Sequence, residues 1–188
     1  GEMQLEELIP LDLDARARDA LSRFLGAFPE NTSTLNALRR AVPPGAEEPV
    51  SLQPFSSERK HSWARFGDET TIVLGAPGFL PEGMDGERVR KAVLQSTAMG
   101  KRVMVLGIID GRGVAGAAGL VVLSEEVREN AADTIAYFER QGVQIKVISG
   151  DDPVSVSAIA RKAGVRDGDR WVDASTLGEE DLDEACRR

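Results

Sequence analysis

Apolar and polar positions alternate loosely over residues 3–10 (MQLEELIP), which predicts a strand. Ala17, Leu21, Phe24, Leu25 and Phe28 then recur at helical spacing, so a helix is expected over 14–28 with Asp12 or Asp14 as its cap. A shorter helix is expected over 34–42, capped from Asn31, Thr32 or Ser33. The stretch PPGAEEP at 43–49 reads as a loop, because proline removes a donor and fixes φ. Residues 50–55, 62–66 and 70–74 read as short strands, and Gly67-Asp68-Glu69 joins the last two into a hairpin. Val89, Val93 and Leu94 mark a helix over 86–99. A strand follows over 102–110. A turn containing Gly111, Gly113, Gly116 and Gly119 leads to a strand over 120–123. Neighbouring strands joined by short turns imply an antiparallel sheet with helices packed on it.

Near Ser124 the period changes. Residues 125–141 read as a helix, 143–149 as an apolar strand and 153–163 as a helix, with a weak turn over 171–177 and a helix over 179–185. Helix–strand–helix with short links is the pattern of a parallel, Rossmann-like sheet. The expected fold class is therefore α+β: an antiparallel sheet flanked by helices over 1–123, then a partial Rossmann-like α/β segment over 124–188. The short charged link at 124–128 suits a hinge.

Composition narrows the function classes. The chain has 188 residues, 41% of them hydrophobic and 29% charged, with a net charge of −8. An acidic chain without a dense basic stripe is a poor nucleic-acid binder. Charge and glycine interrupt every apolar run before the ~20 residues that a membrane span needs, and the opening residues do not read as a signal peptide. A single cysteine, Cys186, and a single histidine, His61, exclude an intrachain disulfide and ordinary structural zinc sites. A soluble globular chain is expected.

Four segments carry candidate chemistry. Ser149-Gly150-Asp151-Asp152-Pro153 lies between an expected strand and an expected helix. Free N–H groups and the positive end of the helix dipole there suit a phosphate; the same residues also serve as a helix cap with no ligand. Pro54-Phe55-Ser56-Ser57-Glu58-Arg59-Lys60 sets an aromatic before a basic cluster, which suits a base and its phosphates or a core ring beside a solvated loop. Leu74-Gly75-Ala76-Pro77 offers small residues against which a flat ring can lie, or a plain turn. Gly100-Lys101-Arg102 opens a strand, and its arginine reaches either a phosphate or solvent. His61 and Trp63 alternate along a strand and read as packed side chains.

Taken in order, these segments resemble the cytoplasmic region of P-type cation-transporting ATPases. PFSSERK is similar to the family's adenine-stacking segment, GAP to its KGAPE loop and GKRVMVLG to its GxRxLxxA strand. The block ending ISGDDPVSVSAIARKAGV resembles the TGDNPxTAxAIAxxxGI signature, and GEMQLEEL resembles the strand after the phosphorylation motif DKTGTLT. The resemblance implies that 1–123 is a nucleotide-binding domain and 124–188 part of a haloacid-dehalogenase-type phosphorylation domain. It implies ATP as ligand, with Mg²⁺ used by the full-length parent. Phe55 would stack on adenine, Lys60 and Arg102 would face the phosphates, and Gly75 and Ala76 would floor the pocket. Ser149, Gly150 and Asp151 would meet the γ-phosphoryl.

The implied partners are the remaining phosphorylation domain, the actuator domain and the membrane helices of a pump, with this chain on the cytoplasmic side of the cell membrane. The pairing of FSSERK with LGAP is most similar to the bacterial, calcium-linked branch. Leu74 replaces the family lysine, Gly78 the glutamate after GAP, and Leu35 stands where a carboxylate often holds the adenine amino group. Neither DKTGT nor GDGxND occurs, so binding without turnover is expected. Two alternatives stand beside this: a free-standing haloacid-dehalogenase-type phosphatase, which needs an aspartate nucleophile in a DxDx[TV]-like segment that is absent, and a non-catalytic nucleotide-sensing module.

Overall fold

A computed structural model describes residues 3–11, 14–125, 127–150, 153–173 and 176–178. The chain divides into two compact units, one formed by residues 1–97 and 101–126 and the other by 98–100 and 127–188.

The first unit is built on a six-stranded sheet. In chain order it contains β1 (Met3–Pro10), α1 (Asp14–Ala27), α2 (Ser33–Ala41), β2 (Ser51–Gln53), β3 (His61–Arg65), β4 (Thr71–Gly75), α3 (Glu87–Thr97), β5 (Arg102–Ile109) and β6 (Ala115–Glu125). The strand order is β1-β6-β5-β4-β3-β2, and every neighbouring pair is antiparallel. The expected antiparallel sheet flanked by helices is present.

Strand alternation feeds two separate cores. Leu106 of β5 joins Leu74, Leu123 and the α1–α2 residues Leu21, Phe24, Leu25 and Leu38 on one side, while Val103 and Val105 join Leu120 and Val89 of α3 on the other. Helix α1 stops at Ala27 because Phe28 precedes Pro29, and a residue before proline disfavours the α conformation. The Thr32 side chain caps α2 by accepting from the Leu35 N–H at 3.2 Å.

The last strand of this sheet differs from expectation. Strand β6 begins at Ala115, because the reversal after β5 is completed by Asp110–Gly113: the Gly113 N–H donates to the Asp110 carbonyl at 2.8 Å. Gly116 and Gly119 therefore lie in the strand, where pairing to β1 and β5 overrides their low strand preference. The strand also continues to Glu125, opposite Met3.

The second unit contains α4 (Ala131–Arg140) and α5 (Pro153–Lys162). The expected start of α4 at 125 is thus displaced by the end of β6, and the helix instead follows a turn closed by the Ala131 N–H on the Arg128 carbonyl at 2.9 Å. Residues 143–149 are irregular rather than a strand. A strand exists only through ladder partners, and the described residues of this unit supply none. Val143, Val147 and Ile148 are exposed, Ile148 by 90%. The turn expected at 171–177 is described in part, and the helix expected at 179–185 lies outside the described residues.

One polar cluster ties the first unit together. Arg23 of α1 donates to Glu47 at 2.8 Å and to Asp68 at 3.0 Å, and its guanidinium lies 4.4 Å from the centroid of the Phe66 ring. This joins α1, the 43–49 loop and the β3–β4 turn. The hydrogen bond from Arg23 holds the Asp68 carboxyl below the usual carboxylate range, helped by the Thr70 N–H and opposed by desolvation. A lowered folded-state value stabilises the fold above the unfolded value of about 3.9, and that contribution is lost as pH falls through the lowered value. Asp68 is half exposed, so screening limits its pair with Arg23 to roughly 0.2–1 kcal/mol. We predict that Asp68→Asn lowers the melting temperature slightly at pH 7 and flattens its fall below about pH 4. Parallel melting curves of variant and parent at pH 7, 4 and 3 check this; identical slopes would refute it.

Candidate functional site

The loop between β2 and β3 is folded back on itself. The Lys60 N–H donates to the Ser56 carbonyl at 2.7 Å, the Arg59 N–H to the Ser56 hydroxyl at 3.2 Å, and the Arg59 guanidinium to the Pro54 carbonyl at 3.3 Å. Closing so tight a loop places Lys60 in the left-handed region, at φ 56°. That conformation is uncommon for a residue with a Cβ and persists only where the surroundings fix it. Here both backbone polar groups are committed, since the Lys60 carbonyl accepts from the Ala76 N–H at 2.9 Å.

This last bond joins the loop to the end of β4. There Gly75 lies opposite His61 of β3 and Val105 of β5. A Cβ on Gly75 would fall inside van der Waals contact of the His61 Cβ and 3.0 Å from the Lys60 carbonyl oxygen. The site therefore requires glycine for close approach, whatever its φ.

The chain then turns sharply. Ala76-Pro77-Gly78-Phe79 is closed by the Phe79 N–H on the Ala76 carbonyl at 3.2 Å, with Gly78 at φ 78°. Proline second and glycine third are the residues of a type II turn, whose third position needs positive φ. The turn brings Phe79 to Lys60, whose Nζ lies 4.7 Å from the ring centroid. Beyond it, Gly78, Leu80, Pro81, Glu82, Gly83, Asp85 and Gly86 line an open depression of about 450 Å³.

The structure thus brings Lys60, Gly75 and Ala76 together at one end of the sheet. Phe55 stands in the same folded loop, 54% exposed. Its ring is not a core element, unlike Phe24, Phe28 and Phe66. Arg102 opens β5 at the same end, three residues before the partner of Gly75. By strand alternation Arg102 shares the face of Met104 and Leu106, the face that α1 and α2 cover, whereas Gly75 shares that of Val105. Leu74 lies on the α1–α2 face and is fully buried, and Leu35 packs against the same core.

Ser149 and Gly150 belong to the second unit, exposed, just before α5. Asp151 lies outside the described residues. Phe79 is the residue that sequence reading missed. The available signal was a lone aromatic directly after a Pro-Gly turn. Among the described residues no group of three or more His, Cys, Asp or Glu is placed to hold a metal ion. No described helix is long and apolar enough to cross a membrane.

No family model matches the chain. It is 33% identical over 198 residues to the probable cation-transporting ATPase exp7 of Streptococcus pneumoniae, covering 97% of this chain and 24% of that protein. It is 33% identical over 159 residues to the calcium-transporting ATPase CtpE of Mycolicibacterium smegmatis, covering 81% of this chain and 20% of that protein. The chain thus spans about a quarter or less of the length of these relatives. Among solved structures, a zinc-transporting PIB-type ATPase in the E2.Pi state matches 88% of this chain and 26% of its own, with a TM-score of 0.58 at 16% identity. That likeness is one of fold.

The glycine at 75 gives a direct test of how the site is held. Gly75→Ala must push β3 and the Lys60 carbonyl away, and overpacking of this kind costs roughly 1–3 kcal/mol. We expect a lower melting temperature together with loss of protection of the Ala76 amide in hydrogen exchange. Unchanged exchange at Ala76 would refute the close-approach account.

Proposed function

We propose that this chain, which is homologous to P-type cation-transporting ATPases, is the cytosolic ATP-binding portion of such a pump. In this reading the first unit is the nucleotide-binding domain, and the second contributes part of the phosphorylation domain. The observation that carries it is the loop 54–60. It holds an exposed phenylalanine and an over-constrained lysine, and it is hydrogen-bonded to the Gly75-Ala76 end of β4.

Each residue has a role that its chemistry suits. Phe55 stacks on adenine, because every base presents a π-face. Gly75 and Ala76 leave room for the ring. Lys60 and Arg102 face the phosphates as point charge and fork respectively. Arg102 approaches from the α1–α2 face. Ser149, Gly150 and Asp151 act on the γ-phosphoryl within the whole pump. In such a pump an aspartate of the phosphorylation domain would accept the phosphoryl, and Mg²⁺ would supply charge neutralisation there; the DKTGT motif that carries that aspartate does not occur in this chain. The parent is membrane-bound, with this portion on the cytoplasmic side. Its further partners are the actuator domain and the membrane helices. Calcium is the ion we propose, from the FSSERK and LGAP segments and from the name of the mycobacterial relative.

Two outcomes test this reading. ATP titrated into the chain should shift the amide resonances of Phe55 and Ala76, while phosphate release stays at background; robust hydrolysis by the pure chain would sink it. Phe55→Ala should weaken ATP binding by roughly 1–3 kcal/mol with little change in melting temperature. If Phe55 were a core ring, the same change would instead cost about 3–5 kcal/mol of stability and spare the affinity.

A further inference from the structure

Lys60 differs from Arg23 and Lys101 in what its charged end meets. Arg23 is met by two carboxylates and Lys101 by Glu6. Lys60 makes no ion pair among the described residues, although the chain carries 31 Asp and Glu. Its ammonium is held instead against the face of Phe79, 4.7 Å from the centroid. An aromatic face attracts a cation without neutralising it, and it takes none of the three N–H donors as a hydrogen bond.

The ring's position is not incidental. Phe79 is the last residue of the Ala76-Pro77-Gly78-Phe79 turn, and Ala76 donates to the Lys60 carbonyl. Backbone and side chain of Lys60 are therefore fixed by one short segment: Ala76 holds the carbonyl and Phe79 holds the ammonium. Lysine otherwise loses much of its rotamer freedom on being ordered. A contact that orders it beforehand reduces that loss when a ligand binds.

We propose that Phe79 is a positioning residue for the phosphate end of the nucleotide: it pre-orders the Lys60 ammonium, with its full charge and its donors intact, for the anionic groups of ATP. The proposal rests on the reading that Lys60 faces those phosphates, and it adds a specificity element outside the PFSSERK and GAP segments. Phe79 does not itself touch the nucleotide. Its removal acts on the charged end of the ligand and not on the base.

The test is a calorimetric comparison of ATP and adenosine binding to the full chain and its variants. Phe79→Ala should weaken ATP about two- to five-fold, the effect of an exposed cation–π contact, and leave adenosine unchanged. Phe79→Leu keeps the bulk without the π-face and should behave like alanine, whereas Phe79→Trp should retain ATP affinity. The ring is 44% exposed, so all three variants are expected to melt near the parent. In a Lys60→Ala background, Phe79→Ala should cost nothing further. Equal loss of ATP and adenosine, full affinity in Phe79→Leu, additivity with Lys60→Ala, or tighter ATP binding in Phe79→Ala would each overturn the proposal. Lys60→Ala alone separates the two levels: unchanged ATP affinity there sinks the phosphate-facing role of Lys60 itself, and Phe79's role with it. A loss in Lys60→Ala with none in Phe79→Ala sinks only the inference about Phe79.

Discussion

The close approach of β3 and β4 at His61 and Gly75 is the constraint on which the rest of the site depends. The pairing runs unbroken from Thr71 opposite Arg65 to Gly75 opposite His61, so the two strands end in register. Just beyond that last pair, the Lys60 carbonyl accepts from Ala76. A side chain at 75 would separate the strands where the ladder hands over to the loops. Because no side chain is there, one antiparallel ladder fixes a lysine on one strand and a turn on the other. The buried positions Ile72, Val73 and Leu74 anchor that ladder, each about 1% exposed or less. The site inherits its rigidity from the core without being part of it.

The unit uses cation–ring contacts in two contrasting ways. Arg23 over Phe66 is a closed arrangement: the ring is buried, two carboxylates satisfy the guanidinium, and the cluster links three segments of chain. Lys60 on Phe79 is an open one, with an exposed ring and no carboxylate on the cation among the described residues. The first arrangement spends the charge on the fold. Under the proposed reading, the second keeps it available to a ligand. In a chain with a net charge of −8, an anionic ligand is repelled over long range, so a cation withheld from ion pairing matters more than its number suggests.

Much of the first unit is legible because its burial is one-sided. Helix α1 shows its apolar stripe plainly, since one face meets the sheet and the other meets solvent. The β3–β4 hairpin shows its turn in Gly67-Asp68-Glu69, with Glu69 in the left-handed region at φ 64°. The glycines of β6 are misleading, because glycine signals a turn locally and sheet pairing decides the matter non-locally. Within the candidate site, Phe55, Lys60 and Gly75 stand out as an ordered set of residue types. Phe79 does not. Its importance comes from a turn that aims it at a residue 19 positions earlier in the sequence, and no local pattern encodes such a pairing. The side of the sheet from which Arg102 approaches likewise depends on register and not on composition.

The stretch 143–148 shows the same limit from the opposite direction. VQIKVI has the composition of a buried parallel strand, and its sequence position between two helices supports that reading. Strand formation, however, belongs to a pair of segments. Helix α5 forms nearby with no such requirement, because its backbone hydrogen bonds are internal. So helices in this unit persist where the strand does not, and Val143, Val147 and Ile148 are left in solvent. Under the proposed reading, the phosphorylation domain of the parent pump supplies strands for this segment to pair with. The propensity at 143–148 is then a property of the assembled domain, written into a segment that cannot express it alone.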